Sequence, residues 1–315
     1  MKLKPIFQGL ATYVPILDRY AGAGTGGTDS ARYCYSVWAR HLMMAEKYCL
    51  NTHPAIVAEL GPGDSLGIGL SALLSGSSMY YAFDVVEFAT TSRNLEIFDE
   101  LVTLFRTRAD IPGADEFSKI KPYLDDYSFP HRIFSEERLA RALDESRLAR
   151  IRESILSPNN PGSLIEYRIP WYDPQIIDQG VVDLIYSQAT LEHIDDLPNT
   201  YKAMHLWLKP TGHISHQIDF KCHQTASEWN GHWTRTDFTW KLIRGKHTYL
   251  LNREPHSTHT RLLKEQGFKV VCDQKVVSES RLKRSQLAPR FKSLTDDDLV
   301  TSGAFIQAVK CVSNP

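Results

Sequence analysis

Two hydrophobic rhythms alternate along the chain. Short apolar runs rich in β-branched and aromatic residues, AIVAEL at 55–60, MYYAF at 79–83 and VVDLIYS at 181–187, have the length and continuity of strands buried on both faces. Between them the apolar positions fall at helical spacing. From Ala31 to about Cys49, Val37, Trp38, His41 and Leu42 share one face, and from Asn94 to Arg108, Leu95, Phe98, Leu101, Val102 and Phe105 form one stripe. A charged helix is predicted from Ser135 to about Leu156, its arginines paired within the helix, and another from Leu197 to Leu208. Residues 164–169, 268–276 and 303–309 read as further strands, as does the segment after the Gly212 turn, where Ile214, His216, Ile218 and Phe220 share one face. This succession specifies an α/β architecture with a twisted, mostly parallel sheet of about seven strands. Residues 1–54 are expected to form a helical N-terminal extension before a domain at 55–315, and about 109–160 and 222–255 read as insertions into it.

The junction after the first strand is the most informative. In AELGPGDSLG, Gly61 and Gly63 can adopt positive φ and carry no Cβ, so the backbone can approach a ligand closely, and Gly67 lets the next helix lie near the strand. The second strand delivers Asp84 about 20 residues further on, where an acid accepts hydrogen bonds from ribose hydroxyls. Together they predict an adenosine-containing ligand. Glu59 and Asp64 flank the turn; two carboxylates repel a pyrophosphate but suit the sulfonium and ammonium of S-adenosylmethionine.

The segment resembles motif I of the class I S-adenosylmethionine-dependent methyltransferases, an acid and then Gly-x-Gly at the end of the first strand. DLIYSQATLEHI, 183–194, is similar to the family's fourth strand and acid-His loop. LKPTGHISHQID, 208–219, resembles its Leu-Lys-Pro-Gly-Gly turn and fifth strand, with Thr211 replacing the first glycine. The resemblance covers roughly 55–108 and 164–310. It implies a Rossmann-like class I methyltransferase fold whose last strand is antiparallel, with S-adenosyl-L-methionine as cofactor. On this resemblance the cofactor residues are Glu59, Gly61, Pro62, Gly63, Asp64, Gly67, Asp84, Val85, Ser187 and Gln188. At the rim, Asp173 is expected at the adenine amine, and Trp171 either covers the ring or is a core aromatic.

Methyl transfer to a hydroxyl requires positioning and removal of a proton. His193 after the fourth strand, oriented by Asp219 at the end of the fifth, is the expected base, an arrangement similar to that of sugar and small-molecule O-methyltransferases. His223 is the alternative base, His216 reads as a core histidine, and the acid-His pair also reads as a helix cap. The acceptor pocket is expected to draw on Trp229, His232, Trp233, Asn252 and Arg253, whose rings and polar groups suit a hydroxylated substrate. Arg32 and Tyr33, with Tyr35, read either as a lid over the ligand or as packing on the sheet. Glu192, Asp219 and His223 have ligand types that suit Mg²⁺ or Mn²⁺, but the spacing is not that of a zinc site and no metal is expected.

The 315 residues carry a formal net charge of −1, which gives no support to nucleic-acid binding through phosphate neutralisation. Five scattered cysteines argue for a reducing compartment, and no run approaches the ~18 apolar residues of a membrane helix. A cytoplasmic enzyme acting on a small-molecule or saccharide acceptor is expected, with a homodimer open. The competing readings are N- or carboxyl-methylation by proximity, an NAD-dependent oxidoreductase, for which no Tyr-x-x-x-Lys pair occurs, and a non-catalytic nucleoside-binding protein.

Overall fold

The computed structural model describes residues 4–13, 27–171 and 173–311. Seven strands, β1 (Ile56–Leu60), β2 (Met79–Phe83), β3 (Ile165–Arg168), β4 (Val182–Gln188), β5 (Leu208–Asp219), β6 (Phe268–Val277) and β7 (Thr301–Lys310), form one sheet in the order β3-β2-β1-β4-β5-β7-β6. The first five are parallel, and β7 inserts antiparallel between β5 and β6. Chain order reverses between β1 and β4, so a crevice opens at their carboxyl ends, where open α/β sheets take their ligands.

The side-chain period of two sends Val57, Leu184 and Tyr186 to one face, beneath α2 (Ala31–Lys47), α3 (Gly67–Leu74) and α4 (Thr91–Arg106). Ala58, Leu60, Ile185, Ile214 and Ile218 point to the other, where α7 (Leu197–Trp207) and α9 (His256–Glu265) supply Tyr201, Met204, Trp207, Leu262 and Leu263. The remaining helices are α1 (Lys4–Ala11), α5 (Glu136–Ala142), α6 (Glu145–Leu156), α8 (Asp237–Arg244) and the short α10 (Asp296–Val300). Ser30 caps α2, and the predicted face of Val37, Trp38, His41 and Leu42 is buried.

Three expectations need correction. The single helix predicted from Ser135 to Leu156 is two, because Asp144 turns its side chain onto the N–H of Ser146 and caps α6. Its arginines do more than pair within a helix. Glu137–Arg141 is such a pair, but Arg108–Glu136, Arg106–Glu145 and Arg152–Asp99 join α5 and α6 to α4 and its end. Arg138 and Arg147 donate to carbonyls at the carboxyl end of α3, those of Ser75 and Leu73, where a helix welcomes cations. Finally, Gly67 makes room for Cys34 of α2, whose Sγ would lie 2.5 Å from an added Cβ; the glycine that brings α3 onto the sheet is Gly69, where a Cβ would fall 2.0 Å from the Tyr80 ring.

The start of the first insertion is strapped to α2. Tyr35 Oη donates to the Ala109 carbonyl (2.6 Å), and the buried Arg40 donates to those of Pro112 and Pro122. Arg32 is held at Glu116 through two hydrogen bonds of 2.7 and 2.6 Å. Of the three residues considered for a lid, Arg32 and Tyr35 are therefore fasteners, and Tyr33 packs edge-on against Phe117.

Candidate active site

The turn after β1 has the predicted backbone: Gly61 and Gly63 lie at φ 68° and 74°. Its surroundings differ from expectation in one respect. The space a Gly61 Cβ would need is taken by Thr190, whose Cγ2 would lie 2.5 Å away, so that glycine accommodates the loop after β4 rather than a ligand. Thr28 covers the turn from above, donating to the Pro62 carbonyl (2.8 Å) and accepting from the N–H of Ser65, while Asp64 accepts from the Gly27 N–H (3.1 Å).

Glu59 lies below the turn, 1% exposed, and accepts hydrogen bonds from Tyr80 (2.5 Å) and Tyr186 (3.1 Å). Burial raises its carboxyl to about 7 against the opposing pull of those two hydroxyls. Asp84, at the tip of β2, is 7% exposed; its Oδ1 accepts the N–H of Val85 (2.7 Å), and burial raises its carboxyl too. Trp171 packs between Phe83 and Trp207 at ring separations of 5.9 and 5.7 Å, as a core aromatic does. Asp173 is exposed and holds a local turn by accepting from the Gln175 N–H. Ser187 is fully buried with its Oγ 2.8 Å from Nδ1 of His216, so its side chain serves the core and His216 is the core histidine expected. Gln188, in contrast, has a buried Oε1 with no partner.

At the tips of β4 and β5 stand His193, Asp219 and His223. Asp219 does not orient His193; its Oδ2 lies 3.5 Å from Nε2 of His223. Burial tends to raise the Asp219 carboxyl, but His223 and Lys221 outweigh it and hold it below the usual value. The His193 ring lies 5.3 Å from that of His223, and burial together with His223 lowers it to about 4. Positive φ at Ala189 (52°), His223 (42°), Gln224 (68°) and Arg253 (69°) concentrates backbone strain around these tips, as functional sites do.

Most of the residues assigned to the acceptor pocket are structural. Trp233 is fully buried among Leu287, Phe291 and Leu294 and donates to the Arg253 carbonyl; Trp229 donates to that of Glu279. Arg253 is 4% exposed, bonded to Asp237 and the Arg235 carbonyl and placed over the Trp240 and Phe291 rings. Asn252 uses its amide to hold the carbonyls of Leu191 and Ile194, both at 2.8 Å. His232 and Arg253 each keep a buried nitrogen without a partner, Nδ1 and Nε, and both line a narrow cleft with Glu192, Asp219 and Lys221.

Two residues were not foreseen. Tyr249 stands between the halves of the site, its ring 5.5 Å from His193 and 6.3 Å from Phe88, and burial with the charges of Asp84 and Asp64 raises its hydroxyl. Glu192, weighed only as a metal ligand, is 3% exposed with neither carboxylate oxygen hydrogen-bonded. Among the described residues no group of three or more His, Cys, Asp or Glu is arranged to hold a metal ion.

A family model described as "Methyltransferase domain" matches residues 144–273, which carry β3, β4, the His193 loop, β5 and the whole of the second insertion. The sheet has the Rossmann-like fold of the class I S-adenosylmethionine-dependent methyltransferases, and the family match covers less than half of the chain. No curated protein matches the sequence. Among solved structures, the chain is similar to an S-adenosylmethionine-dependent methyltransferase from Mesorhizobium loti, with 15% identity, a TM-score of 0.42, and coverage of 86% of this chain and 98% of the other. It is also similar to phosphoethanolamine N-methyltransferase 2 of Haemonchus contortus, at 11% identity and a TM-score of 0.43, covering 87% of this chain and 53% of that one. No helix among the described residues is long and apolar enough to cross a membrane.

The crevice suits a cationic, hydroxyl-bearing nucleoside. What it offers is acceptors: the carboxylates of Asp84 and Asp64, and the unpartnered Oε1 of Gln188. When bound, S-adenosylmethionine supplies an activated methyl group.

Proposed function

We propose that this protein is a methyltransferase acting on a hydroxyl of a sugar or other polar small molecule, with His223 as the base. The reading is supported most by the Asp219–His223 pair. Asp219 Oδ2 stands 3.5 Å from Nε2 of His223 and would orient the imidazole toward an acceptor hydroxyl. Asp84, Gly63 and Gln188 would hold the cofactor, with Glu59 supporting the turn from below. Tyr249 would form the wall between cofactor and acceptor. His193, lowered to about 4, stays neutral near pH 7; its place would be to present an uncharged ring to the acceptor beside His223.

The test is a pair of variants read by transfer of labelled methyl to candidate polyols. His223→Ala should lower turnover by roughly 10²- to 10⁴-fold, the usual contribution of a general base, with cofactor affinity nearly intact. His193→Ala should do less. An unchanged rate in His223→Ala would show that proximity alone suffices and would favour transfer to a nitrogen or carboxylate.

A further inference from the structure

Glu192 is unusual for a buried acid. It sits on the short helical turn Leu191–His193 directly after β4, its backbone carbonyl accepting the Asn252 N–H at 2.7 Å, so its position is fixed by the second insertion. Neither side-chain oxygen receives a hydrogen bond, although the residue is 3% exposed. Burial consequently raises its carboxyl well above the usual range, and the backbone N–H groups nearby offset this only in part. A buried ionisable group left without a partner costs stability, and a protein gains nothing from it in the empty state.

The same cleft shows what is missing. Its lining includes Asp219, Lys221, His232 and Arg253. The cations are largely engaged: Lys221 Nζ lies 3.4 Å from Asp219, and both terminal nitrogens of Arg253 are bonded to Asp237 and the Arg235 carbonyl, which leaves only its Nε without a partner. His232, 2% exposed, is kept neutral by burial and by Arg253, and its Nδ1 is unpartnered. Against the one open donor, Nε of Arg253, stand both oxygens of Glu192 and Nδ1 of the neutral His232, so acceptors outnumber donors and match a compact cation carrying several N–H groups.

We propose that Glu192, with His232 beside it, forms a subsite for an ammonium group of the acceptor, so that the substrate is a hydroxylated amine such as an amino sugar or amino alcohol. The inference rests on the proposed transfer to a small-molecule hydroxyl for the identity of the ligand as acceptor. The ammonium would donate to the two oxygens of Glu192 and supply the direct partner that Lys221, tied to Asp219, does not. Placement of the ammonium would then bring a neighbouring hydroxyl toward His223, which shares Asp219 with this cleft.

The experiment is calorimetric titration of the protein loaded with S-adenosylhomocysteine. Glucosamine, ethanolamine and serinol are each compared with a neutral counterpart, glucose, ethylene glycol and glycerol. At least one amine should bind tenfold or more tighter than its counterpart, and Glu192→Gln should erase that advantage. The idea is overturned if no amine is preferred by the native protein, or if the preference survives in the variant. Thermal unfolding at pH 8 provides the second readout: Glu192→Gln should be as stable as the native protein or more so, whereas a loss of several degrees would make Glu192 a structural group and overturn the subsite. If the native protein prefers an amine and Glu192→Gln erases that preference, but labelled methyl is delivered to nitrogen or to none of these probes, the hydroxyl reading is refuted and the subsite stands.

Discussion

Glu59 makes the stability of this protein depend on pH in a direction opposite to that of a salt-bridged acid. Its carboxyl rises from an ordinary 4.5 to about 7 in the fold. Between those values the unfolded chain releases the proton while the folded protein retains it, so stability is complete below about pH 4.5 and declines as pH rises to 7. Each pH unit corresponds to about 1.4 kcal/mol, and the interval to about 3 kcal/mol. Glu59→Gln cannot ionise. Its Oε1 can still accept from Tyr80 and Tyr186, while its amide nitrogen is left buried at a cost of about 1–3 kcal/mol that does not vary with pH. Urea unfolding of both proteins at fixed ionic strength from pH 4.5 to 8 should therefore show the variant gaining about 3 kcal/mol relative to the native protein. A difference that stays flat across the range would refute the argument. If Glu59 also faces the cofactor's positive charge, S-adenosylmethionine should bind the native protein more tightly as pH rises to 7, and the variant with no such trend.

Two further outcomes follow from the described geometry. Ala189, exposed at φ 52° directly after β4, should be replaceable by Gly with a gain of about 1 kcal/mol in unfolding free energy, because glycine occupies that region without the Cβ penalty; a loss would mean that the strain is compensated by contacts of the methyl. His213, 1% exposed with both ring nitrogens unpartnered, is lowered by burial to about 4. As pH falls from 6.5 the unfolded chain takes up this proton first, so stability is lost on acidification. Calorimetry should show His213→Leu reducing the loss between pH 7 and pH 5 by about 2 kcal/mol, and an unaltered loss would show that the ring titrates normally.

The sheet was legible because its signals are local. Five-residue runs of β-branched and aromatic residues mark β1 and β2, and only glycine readily gives the positive φ found at positions 61 and 63. The break between α5 and α6 was also within reach, since Asp144 is a helix-capping residue type in the middle of a helical pattern. The acceptor side was not legible in the same way. Trp233 and Arg253 look identical in sequence to residues that face a ligand. What buries them is the distant segment carrying Leu287 and Phe291, together with Trp240. The choice of His223 over His193 as the partner of Asp219 depends on positive φ at His223 and Gln224, which neither residue type announces. Tyr249 and Glu192 take their significance from a loop crossing that no periodicity records.

That crossing is made by Asn252. Its amide grips the carbonyls of Leu191 and Ile194 on either side of His193, its backbone N–H meets the carbonyl of Glu192, and its Oδ1 receives the N–H of Glu254. The second insertion, which carries His223 and His232, and the 190–194 turn are therefore held together as one part. Attempts to retarget this enzyme by exchanging the insertion alone would disturb its reactivity along with its selectivity, and a graft that travels with its own 190–194 turn stands the better chance of keeping both.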